Sequence, residues 1–337
     1  MKKFINKPEE FVRDSLSGIL LAYPTYLKSH PNDMCAIARA NFTEADNDVV
    51  SIITGGGYGH IPLFLGYVGD GLCSGVAVGD VFTTPSNDTI SRVMEMVPQK
   101  KGILCIHGNY TGDCINFNIA TQQLNAKGIS CAQVVISDDV TSAPSERKHE
   151  RRSIAGLVLA YKIAGACAKR GDDLETIVNI LTRVNKNIGS IGVALSSCSI
   201  PTTTRSIFEI TEGEMEMGIG IHGEPGVMRE RLMSSFDMAT YMVDAVANDL
   251  SLQKGERVVL LVNGMGATPK DELFVVYNDV CKRLREISVN IVFSFVGEYV
   301  TSLEMNGASV TLLRYEDEYE SLLKTEAFSP FVYFMNR

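Results

Sequence analysis

The residues of this 337-residue chain best suited to chemistry are two histidines set among glycines and one aspartate that follows an apolar run. Gly218-Ile219-Gly220-Ile221-His222-Gly223-Glu224-Pro225-Gly226 frames a lone imidazole with glycines, and Pro225 stiffens the turn that follows. A neutral imidazole nitrogen can add to a ketone carbon. Imidazole cannot then lose water to give a Schiff base, so the product stops at a hemiaminal, which selects carbonyl compounds over alcohols. The same loop is compatible with a histidine that is only hydrogen-bonded in a turn.

The second histidine closes Thr54-Gly55-Gly56-Gly57-Tyr58-Gly59-His60, placed where a strand at Val49–Ile53 is expected to end. Glycines there permit positive φ and let a small ligand approach backbone N–H groups, although ordinary turn chemistry explains them equally well. No Lys-Ser/Thr follows and G-x-G-x-x-G spacing is absent, which argues against nucleotide binding. Asn109-Tyr110-Thr111-Gly112-Asp113 again follows an apolar run. A carboxylate at a strand's C-terminal end suits acid/base work, with helix capping as the alternative. His107 lies just before this loop, and alternation along a strand leaves open whether its ring faces the core or the site.

Something must position these loops. The stretch Glu9–Tyr23 carries apolar residues at helical spacing and stops at Pro24. Short apolar runs at Val49–Ile53, Ile103–Ile106 and Val134–Ile136 alternate with helix-like stretches at Asp88–Met96 and Asn116–Leu124, and helices are expected at Ile154–Ala168 and Leu174–Val184. The later part continues in this style. Strands are expected at Ile191–Leu195, Arg257–Val262, Val289–Phe295 and Val310–Leu313, and helices at Met238–Val246, Glu272–Leu284 and Asp317–Leu323. The pattern is α/β, and the length suits two domains, divided here as 1–190 and 191–337.

A net charge of −9 with scattered Lys and Arg leaves no basic face for nucleic acid. No apolar stretch approaches a membrane span and no signal core follows the N-terminus, so a cytoplasmic location is expected. The eight cysteines form no C-x-x-C pair or Cys/His cluster, which argues against structural zinc.

Taken in order, four motifs resemble the K-subunit (DhaK, or DAK1) family of dihydroxyacetone kinases. They are Gly55-Gly56-Gly57 with Gly59-His60, Gly79-Asp80-Val81-Phe82-Thr83-Thr84-Pro85, Asn109–Asp113, and Gly220–Gly226. The likeness continues through Asn263-Gly264-Met265-Gly266-Ala267-Thr268-Pro269 and Glu298–Met305, so it spans nearly the whole chain. What it implies is a homodimer of two three-layer α/β/α domains with mixed sheets, the DAK1/DegV-like architecture, binding dihydroxyacetone between the domains. His222 matches the residue that forms the covalent hemiaminal. Gly57, His60 and Asp113 match positions that hydrogen-bond the substrate hydroxyls. In kinase members, Asp113 and His60 would assist deprotonation of the attacking hydroxyl, and a separate L subunit brings the nucleotide. No cofactor or metal is implied on this chain.

Two departures bear on activity. Ile61 stands where kinases of the family usually have Glu, and Gly108 where they usually have Lys. The missing Lys removes a positive charge beside the reacting hydroxyl, where phosphate charge must be stabilised. The chain therefore resembles the DhaQ-type coactivators, non-catalytic paralogues that partner a TetR-type (DhaS-like) transcriptional regulator of the kinase operon and contact DNA only through it. The alternative is a dihydroxyacetone-binding K subunit of a PEP-dependent, phosphotransferase-system kinase, in which Asp113 and His60 are catalytic.

Overall fold

The computed structural model describes residues 3–203 and 206–335, and they form two compact α/β units. Unit 1 holds the described residues up to Ile136, then Leu159–Arg183 and those from Glu318 onward; unit 2 holds Ser137–Val158 and the described residues of 184–317. A single boundary at 190 is thus replaced by four crossings of the chain. The physical reason lies in the C-terminal segment. Phe328 forms a bridge with Asp70, Ser329 Oγ donates to the Gly66 carbonyl, and the buried Lys162 ammonium donates to the carbonyls of Leu322 and Thr325 at 2.6 Å each. These bonds satisfy groups that would otherwise be buried without partners, and they tie the last residues into unit 1.

Unit 1 is built on a six-stranded mixed sheet of order β1-β2-β4-β3-β5-β6. Its strands are β1 (Leu27–His30), β2 (Asp33–Arg39), β3 (Ser51–Tyr58), β4 (Gly75–Val81), β5 (Ile103–Gly108) and β6 (Cys131–Ile136). Strands β3 to β6 run parallel, while β2 is antiparallel to both β1 and β4. The unit's helices are α1 (Phe11–Ala22), α2 (Asn87–Met96) and α3 (Thr111–Ala126), together with most of α4 (Gly156–Arg170) and α5 (Leu174–Asn187). Helix α2 starts at Ser86, whose hydroxyl accepts from Thr89 N–H at 3.1 Å. Ile90, Val93 and Met94 of α2 and Phe117, Ala120 and Leu124 of α3 cover Ile53, Ala77, Ile103 and Cys105 of the sheet.

Unit 2 has a sheet of order β11-β10-β12-β7-β8-β9, in which only β10 and β11 run parallel. The strands are β7 (Ile188–Ala194), β8 (Glu214–Met217), β9 (Met228–Arg231), β10 (Arg257–Gly264), β11 (Asn290–Gly297) and β12 (Gly307–Arg314). Helices α6 (Ser235–Asp249) and α7 (Lys270–Glu286) bury Met242, Val246, Leu273, Val280 and Leu284 against Val258, Leu260, Val310 and Leu312. The short helix α8 (Tyr319–Lys324) belongs to unit 1. Among the described residues, no helix is long and apolar enough to cross a membrane.

The main local surprise is the triple glycine. It does not form a turn after a strand; β3 continues through it to Tyr58, with all eight of its residues buried. A Cβ on Gly55 would sit 2.6 Å from the Ala77 carbonyl oxygen, one on Gly56 would enter the Phe64 ring, and one on Gly57 would lie 2.6 Å from Thr83 N. The glycines therefore serve close approach of neighbouring backbone and ring, and only Gly59 takes a positive φ, 103°. The register with β4 shifts between Gly56 and Tyr58, a bulge at the strand's functional end.

Gly57→Ala is expected to destabilise the protein by about 1–3 kcal/mol through overpacking. Gly18→Ala, with nothing within 4 Å of its new methyl group in α1, should be neutral or stabilising. Denaturant unfolding of the two variants checks this, and equal midpoints would contradict the close-packing account.

Candidate functional site

In unit 1 the parallel pairing of β4, β3 and β5 brings three sequence-distant loops to one edge. Each loop leaves the C-terminal end of its strand, which is where open α/β sheets place their ligand sites. Gly59-His60 follows β3, Phe82–Pro85 follows β4 and Asn109–Tyr110 follows β5. The loops are also fitted to each other. The His60 ring is buried and stacks on Phe82 at 4.7 Å between centroids with an 18° tilt, while Phe64 meets it edge-on at 6.1 Å. Phe82 N–H donates to the Tyr58 carbonyl at 3.0 Å. Gly112 lies so close to Thr84 that a Cβ would strike its hydroxyl, and Asn116 Nδ2 donates to the Pro85 carbonyl at 2.8 Å.

Asp113 sits in the first turn of α3 and is 5% exposed. It is not the helix cap, since the N-cap residue is Tyr110. Gly57, His60 and Asp113 are thus carried on adjacent strand ends of one unit. Gly108 ends β5 and brings no side chain to this edge; Ile61 follows His60 as a partly exposed apolar residue.

His107 resolves toward the core. Its ring is fully buried, stacks on Phe117 at 4.6 Å, and has Nδ1 2.9 Å from the Gly108 carbonyl and Nε2 3.3 Å from Gln133 Oε1. Burial pushes its pKa down, against the two hydrogen bonds, so it is a neutral packing residue.

His222 belongs to unit 2, in the ten-residue connection between β8 and β9. The hairpin is anchored by Met217 opposite Met228. Gly218 and Gly223 both take φ of 79°, and Gly220 N–H donates to the Glu224 carbonyl at 3.1 Å. The ring is about one-fifth exposed, with side-chain exposure of 21%. Glu224, two residues on, holds it twice: the His222 backbone N–H donates to Oε2 at 2.9 Å, and Nδ1 lies 3.0 Å from Oε1.

Burial alone would raise the Glu224 pKa. The hydrogen bond and charge of His222 and the backbone N–H groups outweigh it and hold the carboxyl down at about 2. An ionised carboxylate can only accept, so Nδ1 must carry the proton in this pair. In the neutral ring the lone pair then resides on Nε2, the nucleophilic form that addition to a carbonyl requires.

Several residues that matter here stand within the sequence motifs without an individual role assigned to them: Phe82 as the stacking partner of His60, Thr84 against Gly112, and Glu224 as the orienting carboxylate. A His-x-Glu spacing inside a glycine-rich turn is the signal that would have found the last. Phe82 and Thr84 lie 22 and 28 residues from His60 and Gly112, the residues they meet, and strand pairing brings them together.

The chain belongs to the Dak1 domain family, whose pattern matches residues 17–331. It is similar to the dihydroxyacetone-binding subunit DhaK of PTS-dependent dihydroxyacetone kinase 1 from Listeria innocua, at 40% identity over 322 residues, covering 94% of this chain and 95% of that one. Among solved structures, it is similar to the dihydroxyacetone kinase operon co-activator Dha-DhaQ. That match has a TM-score of 0.89 and 31% identity, and covers 98% of this chain and 100% of that one. A structure from the regulation of the dha operon of Lactococcus lactis matches with a TM-score of 0.87 at 29% identity, covering 99% of each chain.

Since the Glu224 carboxyl titrates at about 2 in the folded chain against an ordinary 4.5, its ionised form favours folding. That contribution is complete above pH 4.5 and is lost as the pH falls to about 2. Glu224→Gln should flatten the acid side of the stability profile in this window. Unfolding midpoints of both proteins across the window test this, and parallel profiles would show that Glu224 is not held by His222.

Proposed function

We propose that this chain is a dihydroxyacetone receptor that binds its ligand covalently through His222 and acts as coactivator of a TetR-type regulator of a dihydroxyacetone kinase operon. The observation that carries the ligand is the His222–Glu224 pair, which sets Nε2 as nucleophile on a partly exposed loop. In the addition, the Nε2 lone pair forms a bond to the ketone carbon, and the carbonyl π electrons move to oxygen. The single proton leaving Nδ1 passes by way of the Glu224 carboxylate and solvent to the new alkoxide, so Glu224 ends ionised as it began and a neutral hemiaminal forms without loss of water. Gly57, His60 and Asp113 are the proposed hydroxyl partners, which would favour a polyhydroxy ketone over a simple one.

The regulatory role is supported by similarity to the co-activator along its full length and by Ile61 and Gly108, which remove two charged groups of the kinase pattern. A receptor must bind ligand with different affinity in two conformations, and the His222 loop is the proposed moving part. A homodimer is proposed as the working form.

A second reading, a K subunit of a PEP-dependent kinase, is favoured by the 40% identity to such a subunit and by the retention of Asp113 and His60 as base and assistant. Gly108 weighs against it, because it cannot supply the ammonium that would offset phosphate charge.

Intact-protein mass measurement with dihydroxyacetone, without borohydride because hemiaminals reverse, should show a gain of one whole ligand mass that His222→Ala abolishes. Absence of the gain in the unsubstituted protein would remove the covalent reading. Adding an L subunit with ATP should give no phosphoryl transfer; turnover would make the chain a kinase subunit despite Ile61 and Gly108.

A further inference from the structure

The His222 loop leaves β8 at Gly218, and both backbone polar groups of that residue are engaged. Its N–H donates to the Gly192 carbonyl at 2.7 Å, and its carbonyl accepts from Arg152 Nη2 at 3.2 Å and faces Thr141 Oγ1 at 3.3 Å. Arg152 is itself held. Its Nε donates to Asp139 Oδ2 at 2.9 Å, and Nη2 lies 2.8 Å from the same carboxylate. Asp139 is completely buried, and its other oxygen accepts from Thr141 N–H at 3.0 Å and Thr141 Oγ1 at 2.7 Å. A hydroxyl has one proton, and the shorter bond to the carboxylate takes it, so the Gly218 carbonyl depends on the guanidinium.

The same guanidinium reaches further along the loop. A Cβ on Gly220 would sit 3.0 Å from Arg152 Nη1 and would collide with the Glu224 carboxylate. The bare α-carbon of Gly220 is therefore flanked by Arg152 and by the group that orients the imidazole. A buried carboxylate, the start of the loop and the Gly220 α-carbon are all met by the Arg152 side chain, and Glu224 packs against that same α-carbon.

We propose that Arg152, anchored by Asp139, is a positioning residue that fixes the start of the His222 loop and keeps Glu224 where it holds Nδ1 protonated. This rests on the covalent reading of His222. The competing role is simple neutralisation of a buried carboxylate: burial pushes the Asp139 pKa up, while Arg152 and Thr141 pull it down. The two roles separate when the carboxylate is made neutral together with the arginine.

The test uses the full chain labelled with 15N-histidine, with the His222 signals assigned by their loss in His222→Ala. The unsubstituted protein, Arg152→Lys, Arg152→Met and Asp139→Asn/Arg152→Met are compared by imidazole tautomer, melting temperature and fraction of dihydroxyacetone adduct. The double variant should melt near the unsubstituted protein yet lose the Nδ1–H preference and lower the adduct fraction about tenfold, the scale on which loss of a partner that orients a reacting side chain acts. Arg152→Lys keeps a charge and a donor and should fall between. A double variant with the original tautomer preference and adduct fraction overturns the proposal. If the unsubstituted protein forms no adduct, the covalent reading fails, while the tautomer comparison still decides whether Arg152 positions the ring.

Discussion

The hydrogen bond from His222 Nδ1 to the Glu224 carboxylate decides which ring nitrogen keeps its lone pair, and the surrounding loop is arranged around it. Glu224 also accepts the His222 backbone N–H, so a single carboxylate sets both the backbone and the ring of the residue two positions earlier. Such a bond survives partial burial only while the carboxylate stays ionised, and the imidazole and backbone donors keep it so. Gly220 must then lack a Cβ, because Glu224 and Arg152 occupy that space, and Gly218 and Gly223 supply the positive φ angles that close the turn. The glycine frame is a steric requirement of the ion-holding geometry.

Unit 1 meets a different constraint. Its three loops share an edge because three neighbouring strands run parallel, and parallel strands must end on the same side. Close approach does the rest. The triple glycine lets Phe64, Ala77 and the Phe82–Thr83 backbone press onto β3, and this brings Phe82 to the face of His60. A histidine held between aromatic rings has one orientation available to it. That fits either role proposed for His60, so the geometry of this edge alone does not separate receptor from kinase. The separation rests on charges removed: Gly108 has no ammonium to offer and Ile61 no carboxylate. Phosphoryl transfer is limited by electrostatic stabilisation, and ligand recognition is not, so under the proposed function the absence of these two charges suits sensing better than turnover.

Much of this was legible in the residues. Apolar periodicity placed α1, α2, α6, α7 and the strands β5, β10 and β12 close to where they lie, because long amphipathic helices and buried central strands write their burial directly into sequence. Strands β1, β2, β4, β8 and β9 went unread. In β1 and the β8–β9 pair the reason is position, since Lys28, Ser29, His30, Glu214 and Arg231 are polar residues of short strands near sheet edges; β2 and β4 lie inside the sheet, and edge position does not account for them. The triple glycine was taken for a turn because glycine is poor in strands by propensity; contact with Phe64 and Ala77 overrides that preference. The domain division missed the return of the C-terminal segment, which depends on Lys162 and Ser329 meeting carbonyls more than a hundred residues away in sequence.

By itself, the sequence determined the α/β class, the membership in a family through ordered motifs, and which histidine stands framed by glycines. These are local properties, set by residue type and spacing within a single loop or element. Only the tertiary structure decided that His107 faces the core, that His60 stacks on Phe82, and that Asp139 reaches the His222 loop through Arg152. Each of those depends on which strands lie side by side and on which backbone groups burial leaves to be satisfied. Both are settled when distant segments pack, and neither is carried by any short stretch of residues.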